Sequence, residues 1–115
     1  MSLRYDQAFQ PVRSTEPSFN MTLSTASSGV VFQSTATGRQ WDGPTGRSIR
    51  VMESSGNEFF IQFGSSTVVA TSTGSMRMLG GVAEVFRIDA NQTYVAVMTL
   101  STSPSDVNFT LGYGR

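Results

Sequence analysis

The sequence contains no cysteine, no histidine and no lysine. Without cysteine there is no disulfide framework and no thiolate ligand or nucleophile, and the redox compartment is left open. Without His or Cys the nucleophile–imidazole arrangements of hydrolases cannot be assembled, and zinc, copper and iron sites lose their usual ligands. Without Lys there is no Schiff-base amine and no phosphate-binding loop of the common kind. Gly80-Gly81 is an isolated pair ahead of a strand pattern, so no dinucleotide fingerprint is present. Charge is scarce as well. Charged residues make up 14 % of the chain, against about 25 % in ordinary soluble domains. The eight basic residues are all arginine and are balanced by eight acids. Nucleic-acid binding shows itself as a basic excess or stripe, and neither is visible. The longest apolar runs are a few residues, too short for a spanning helix, and the N-terminal stretch lacks the apolar core of a signal peptide. No nucleic-acid or membrane partner is therefore expected, with synthesis and assembly in a cytoplasm.

What is present suits strands. A chain of 115 residues is the size of one domain and buries about two-thirds of the surface it exposes when unfolded. Ser and Thr supply about a quarter of it, with eleven Gly, eight Phe, three Tyr and one Trp. Strong helix formers are few, and β-branched and aromatic residues take their place. A monomer normally holds itself in solution with a dense charged coat. Here the coat is thin, which points to surface covered by neighbouring chains. Arginine pairs bidentately and packs flat on rings, so its exclusive use favours protein contacts over a strongly hydrated lysine surface.

Along the chain, residues 1–20 read as an extended arm, polar and carrying Pro11 and Pro17 but anchored by Tyr5, Phe9, Val12 and Phe19. Two readings stand: an edge strand with a loop on its own domain, or an arm that orders on a neighbour. Residues 21–115 alternate short strand patterns with turn signals, as in a sandwich or barrel. Met21, Leu23 and Thr25 alternate before a Ser27-Ser28-Gly29 turn; residues 30–37 form a second β-rich run. A long turn region follows over 39–46, then Ile49 and Val51 with Arg50 opposite, and a Ser54-Ser55-Gly56-Asn57 turn. Phe59, Ile61 and Phe63 share one face with Glu58 and Gln62 on the other, the clearest period-two signal in the chain. Strands are further expected over 67–71, 82–88, 93–100 and 107–113, with 72–81 as a connection of small residues around Met76, Met78 and Leu79. The run 93–100 is apolar on both faces and should be central. Turns this short require antiparallel pairing. The expectation is an all-β fold, an antiparallel β-sandwich or jelly roll of about eight short strands with an extended N-terminal arm. Its core would be Phe59, Ile61, Phe63, Phe86, Ile88, Tyr94, Met98, Phe109 and Leu111.

Only carboxylate chemistry remains open to catalysis. A glycosidase needs two acids across a cleft. Asp42, Glu53, Glu58, Glu84, Asp89 and Asp106 each fall at a turn or on the polar side of a strand, where solvated or arginine-paired carboxylates are expected. Asp89-Ala90-Asn91 offers two oxygens, short of the six to eight ligands calcium takes. No enzyme, cofactor or metal site is expected. Trp41, beside Asp42-Gly43-Pro44, reads as a sugar-stacking platform, as a ring covering the end of the sandwich, or as a subunit contact. Asn20, Asn91 and Asn108 each begin an N-x-Thr triplet, the glycan acceptor of secreted chains; in a Thr-rich sequence chance accounts for them. Met76 and Met78 are either core filling or an adaptable contact surface.

The C-terminal part has a further feature. Phe60-Ile61-Gln62-Phe63-Gly64 is followed by a Ser/Thr-rich stretch, then by the series Ser75 to Ile88 (SMRMLGGVAEVFRI), then Thr93 to Met98, then Val107 to Gly114. This layout, over about Arg50 to Arg115, resembles small head-associated proteins from the structural gene clusters of tailed bacteriophages. The N-terminal fifty residues have no counterpart in it. The resemblance implies a β-sandwich capsid decoration (cement) protein, often trimeric, seated on the outer surface of the virion head where capsomers meet. It carries over no catalytic residue. The partners expected are then the major capsid protein and copies of the chain itself, as a homotrimer, with contacts from Tyr5, Phe9, Phe19, Trp41 and Arg77. Many identical weak contacts joined through an oligomer sum to strong avidity. A tail, neck or fibre module, or a carbohydrate-binding sandwich for host recognition, are the alternatives.

Overall fold

A computed structural model of the chain describes residues 9–12, 16–33, 40–41, 47–103 and 105–114. Among these residues there is no helix, and nine short strands build two packed antiparallel sheets, a β-sandwich. The first sheet holds β1 (Gln10–Pro11), β2 (Ser18–Leu23), β4 (Arg47–Glu53), β7 (Ala83–Arg87) and β9 (Ser105–Tyr113). β9 is its organiser. β2 pairs along the first part of β9 and β1 along its last two residues, both on one side, while β4 pairs along the other side and carries β7 at the far edge. The second sheet runs β3 (Ser28–Val31), β8 (Tyr94–Met98), β5 (Phe59–Gly64), β6 (Met76–Met78).

Alternation places the core. Met21, Leu23, Ile49, Val51, Val107, Phe109 and Leu111 of the first sheet meet Phe59, Ile61, Met78, Val95 and Val97 of the second, all buried in one cluster. Phe63 and Phe86 are partly buried against it, and Ile88 lies within it. Side chains on successive residues point to opposite faces, so Phe60, Ala96 and Met98 fall on the outer face of the second sheet. There they form a smaller cluster with Ala70 and Val68. The connection from β5 to β6 therefore lies across that face, held by the Ala70 N–H donating to the Ser27 hydroxyl at 2.9 Å. This explains why β5 and β8 are apolar on both sides.

Several expectations change. Residues 67–71 are not a strand: both edges of β5 are already taken, by β8 and β6, so Val68 and Ala70 serve as a lid instead, after a turn closed by Val68 N–H to Ser65 O at 3.0 Å. The strand lies further on, at Met76–Met78, inside the stretch read as a connection. The second β-rich run begins earlier than expected, because Ser28 and Gly29 pair with Val97 and Ala96 of β8 and so belong to the strand; residues 34–39 lie outside the described residues. In the 1–20 segment, Val12 is in the core and Gln10–Pro11 and Ser18 to Asn20 pair with β9. A boundary after residue 20 would cut β2 in half, so over its described residues this segment is part of the sandwich. Within the expected core, Tyr94 is only partly buried and Met98 belongs to the outer cluster.

Candidate functional site

Of the five residues expected to make contacts, the four that are described do not converge on one surface. Tyr5 lies outside the described residues. Phe9 is partly buried, with its ring over Gly112 of β9; a Cβ on Gly112 would collide with that ring and with the Gln10 carbonyl. Phe19 is opposite Phe109 in the β2–β9 ladder, and the two rings stack at 5.0 Å with an 11° interplanar angle. Trp41 is 7 % exposed. Its indole N–H donates to the Gly112 carbonyl at 2.7 Å and to the Ser48 carbonyl at 3.2 Å. Phe32 meets the Trp41 ring edge-on at 5.8 Å and the Arg47 guanidinium lies 5.9 Å from its centroid. Trp41 thus covers one end of the sandwich and offers no open ring face for a sugar.

Arg77 is the most exposed of the described members. On the outer face of the second sheet, opposite Phe60, it pairs with Glu58 at 2.6 Å. An exposed ion pair of this kind contributes little stability, roughly 0–1 kcal/mol. Beside it Phe60, Leu100 and Ser75 line an open groove. β8 ends at Met98, short of the 93–100 run expected as one strand, and the Leu100 side chain emerges into solvent.

Leu100 has company. Val69, Met76, Leu79, Val82 and Leu100 are between 45 % and 66 % exposed. Val69 lies on the lid over the outer face, Met76 opens β6, Leu79 follows it, and Val82 precedes β7. β6 and β7 are edge strands of their sheets, so Met76, Leu79 and Val82 follow the side of the sandwich where both edges are open. The two Met residues divide between the expected roles: Met78 is core and Met76 is surface. The exposed set was hard to read from sequence, because an apolar residue beside a strand end looks like one more core position.

The carboxylates separate. Glu53, expected on the polar side of a strand, is fully buried. Its Oε1 accepts from the Gly56 N–H at 2.9 Å, and its Oε2 from the Ser55 N–H at 3.1 Å and from the Ser55 hydroxyl. Burial acts to raise its pKa, but the hydrogen bonds from Ser55, Gly56 and Ser105 together outweigh that and hold it below the usual carboxylate value. Glu53 therefore acts as the clasp of the 54–57 turn. Asp106 accepts from the Thr22 hydroxyl at 3.1 Å, Asp89 closes a turn whose carbonyl accepts from the Gln92 N–H at 3.0 Å, Glu84 is exposed on β7, and Asp42 lies outside the described residues. Among the described residues no three acidic side chains gather as a metal cluster.

The outer face of the first sheet is polar. The N-x-Thr spacing puts Asn and Thr on one side of a strand, so Asn20 and Thr22 of β2 face outward beside Asn108 and Thr110 of β9. Asn108 Nδ2 donates to Asn20 Oδ1 at 2.9 Å, the Thr110 hydroxyl donates to Asn108 Oδ1 at 3.2 Å, and Ser18 and Thr110 share a hydrogen bond of 2.7 Å. The Asn20 and Asn108 triplets thus have a structural account as a cross-strand ladder, while Asn91 lies in the turn before β8. Arg50 of β4 is directly opposite Thr110 on this face.

No protein-family model matches the chain, and no curated protein matches it.

Proposed function

We propose that the chain is a structural virion protein of a tailed phage, a capsid decoration protein acting by contact with the major capsid protein and with copies of itself as a homotrimer on the outer surface of the head. The observation that carries this reading is the exposed apolar set Val69, Met76, Leu79, Val82 and Leu100 on a chain with few charges to keep it apart from its neighbours. Three members follow the open edges β6 and β7, where unpaired backbone groups add to the tendency to associate. The resemblance of the segment Arg50 to Arg115 to head-associated phage proteins points the same way.

This side is favoured for the contacts over Phe19 and Trp41, which spend their apolar surface inside the sandwich. The test is light scattering after size exclusion, followed by binding to purified phage heads, for the wild type and for Leu79→Ser and Leu100→Ser. Both side chains are largely exposed, so the substitutions leave the core intact. A wild-type trimer that binds heads, and variants that lose one or both properties, support the reading. A monomer at all concentrations that ignores heads overturns it. A tail, neck or fibre position would use the same surfaces, and electron microscopy of labelled virions distinguishes it. The carbohydrate reading loses the Trp41 platform and would need another surface.

A further inference from the structure

Among the described residues, the outer face of the first sheet contains an arginine without a carboxylate partner. Arg50 is partly buried, yet it forms no ion pair among the described residues, and its one side-chain hydrogen bond there reaches Met52 Sδ at 3.5 Å. A guanidinium has five N–H donors, and a thioether is a weak acceptor for one of them. Partly desolvated charges are normally paired. The one strand carboxylate on the same face, Asp106, is engaged by Thr22 and lies four residues along β9 from Thr110, about 13 Å away at strand rise. Arg87 shares the face one pair beyond Arg50, opposite Ser48.

Arg50 sits in an open depression of about 540 Å³ together with Phe9, Pro17, Ser18, Asn108 and Thr110, a size within the roughly 300–1,000 Å³ of small-molecule sites. Its polar wall is directional. Asn108 Nδ2 donates to Asn20, and the Thr110 proton is committed to Asn108 Oδ1, so in the Ser18–Thr110 pair Ser18 donates and Thr110 accepts. With its proton used, Ser18 Oγ has only lone pairs left to offer, and an incoming group must bring hydrogen-bond donors to it. The third wall is the Phe9 ring and the Pro17 ring, both apolar.

We propose that this depression binds a carboxylate-bearing sugar of the uronic-acid type. Arg50 takes the carboxylate, Ser18 Oγ accepts from a sugar hydroxyl, and Phe9 covers the C–H face of the ring. An acidic protein side chain would satisfy Arg50 but make no use of the hydroxyl-accepting row. The proposal is independent of the virion reading.

The test is a backbone-amide NMR titration of the full chain with D-glucuronate, and in parallel with D-glucose (no carboxylate) and glutarate (no ring hydroxyls). Shifts centred on Ser18, Arg50 and Thr110, with glucuronate bound about tenfold more tightly than either control, are expected for one charge-assisted pair added to the hydroxyl contacts. Arg50→Gln should bring glucuronate down to the level of glucose. Ser18→Ala should weaken glucuronate and leave glutarate unchanged. Thermal melts of both variants establish that they fold, and Arg50→Lys replaces Arg50→Gln if the latter melts early, with a several-fold loss expected from the missing fork. Three results would overturn the proposal: no response to glucuronate, equal affinity for glutarate, or full glucuronate affinity in the Arg50 variant.

Discussion

Trp41 and Gly112, 71 residues apart in sequence, are joined by an indole N–H to carbonyl hydrogen bond of 2.7 Å. It ties the approach to β4 to the end of β9 and fixes the orientation of the only tryptophan. Trp41→Phe keeps most of the apolar volume but removes the donor for two carbonyls, at a cost of about 1–3 kcal/mol. Wild-type emission should be blue-shifted and resistant to iodide, and it should not respond to sugars, including D-glucuronate, since the Arg50 depression does not include Trp41. Strong quenching by iodide would contradict the burial.

Phe19 gives the second prediction. Its stacking on Phe109 makes it a structural residue of β2. Phe19→Ala should cost about 2 kcal/mol in chemical denaturation, less than the ~3–5 kcal/mol of a fully buried Phe because the ring is partly exposed. A residue used only for docking would leave stability unchanged.

Glu53 gives a pH dependence. Its folded-state pKa is below the ordinary value of 4.5, so the folded protein holds the carboxylate in preference to the acid. The resulting stability is fully present above the unfolded pKa and is lost as pH falls through the depressed folded value. Melting temperatures of wild type and Glu53→Gln should differ most at neutral pH and converge in strong acid. A gap that stays constant down to the lowest pH would rule out the ionised clasp.

Gly80 is pressed against the 54–57 turn that Glu53 holds. A Cβ there would be driven into the backbone of Gly56 and Asn57, and backbone cannot swing aside as a side-chain tip can. Gly80→Ala should therefore destabilise by about 1–3 kcal/mol, read as a lower urea midpoint with an unchanged slope.

Much of the architecture was legible before any coordinates. The alternation in β4, β5 and β9 identified those strands and inward-facing residues such as Phe59, Ile61, Phe109 and Leu111, whereas in β8 Val95 and Val97 face the core in place of the expected Tyr94 and Met98. The two-sided apolarity of the 93–100 run correctly marked β8 as an interior strand, now between β3 and β5. The candidate contact residues were less legible. Phe19 and Trp41 have the composition of interface anchors, but an aromatic that caps its own core has the same composition.

Backbone pleating is a local property, so the order of residues was enough to determine an all-β fold and most of its strands. The missing His, Cys and Lys likewise delimited the available chemistry without reference to shape. Neighbours across the sheet are decided by chain segments far apart in sequence, and only the tertiary structure could assign them. It paired Ser18 with Thr110, turned 67–71 from a strand into a lid, and buried Glu53 under its turn. It also left Arg50 beside a row of hydroxyls and amides with no acid paired to it among the described residues. In each case the outcome depends on which partner reaches an edge or a face first, and no period in a single strand encodes that.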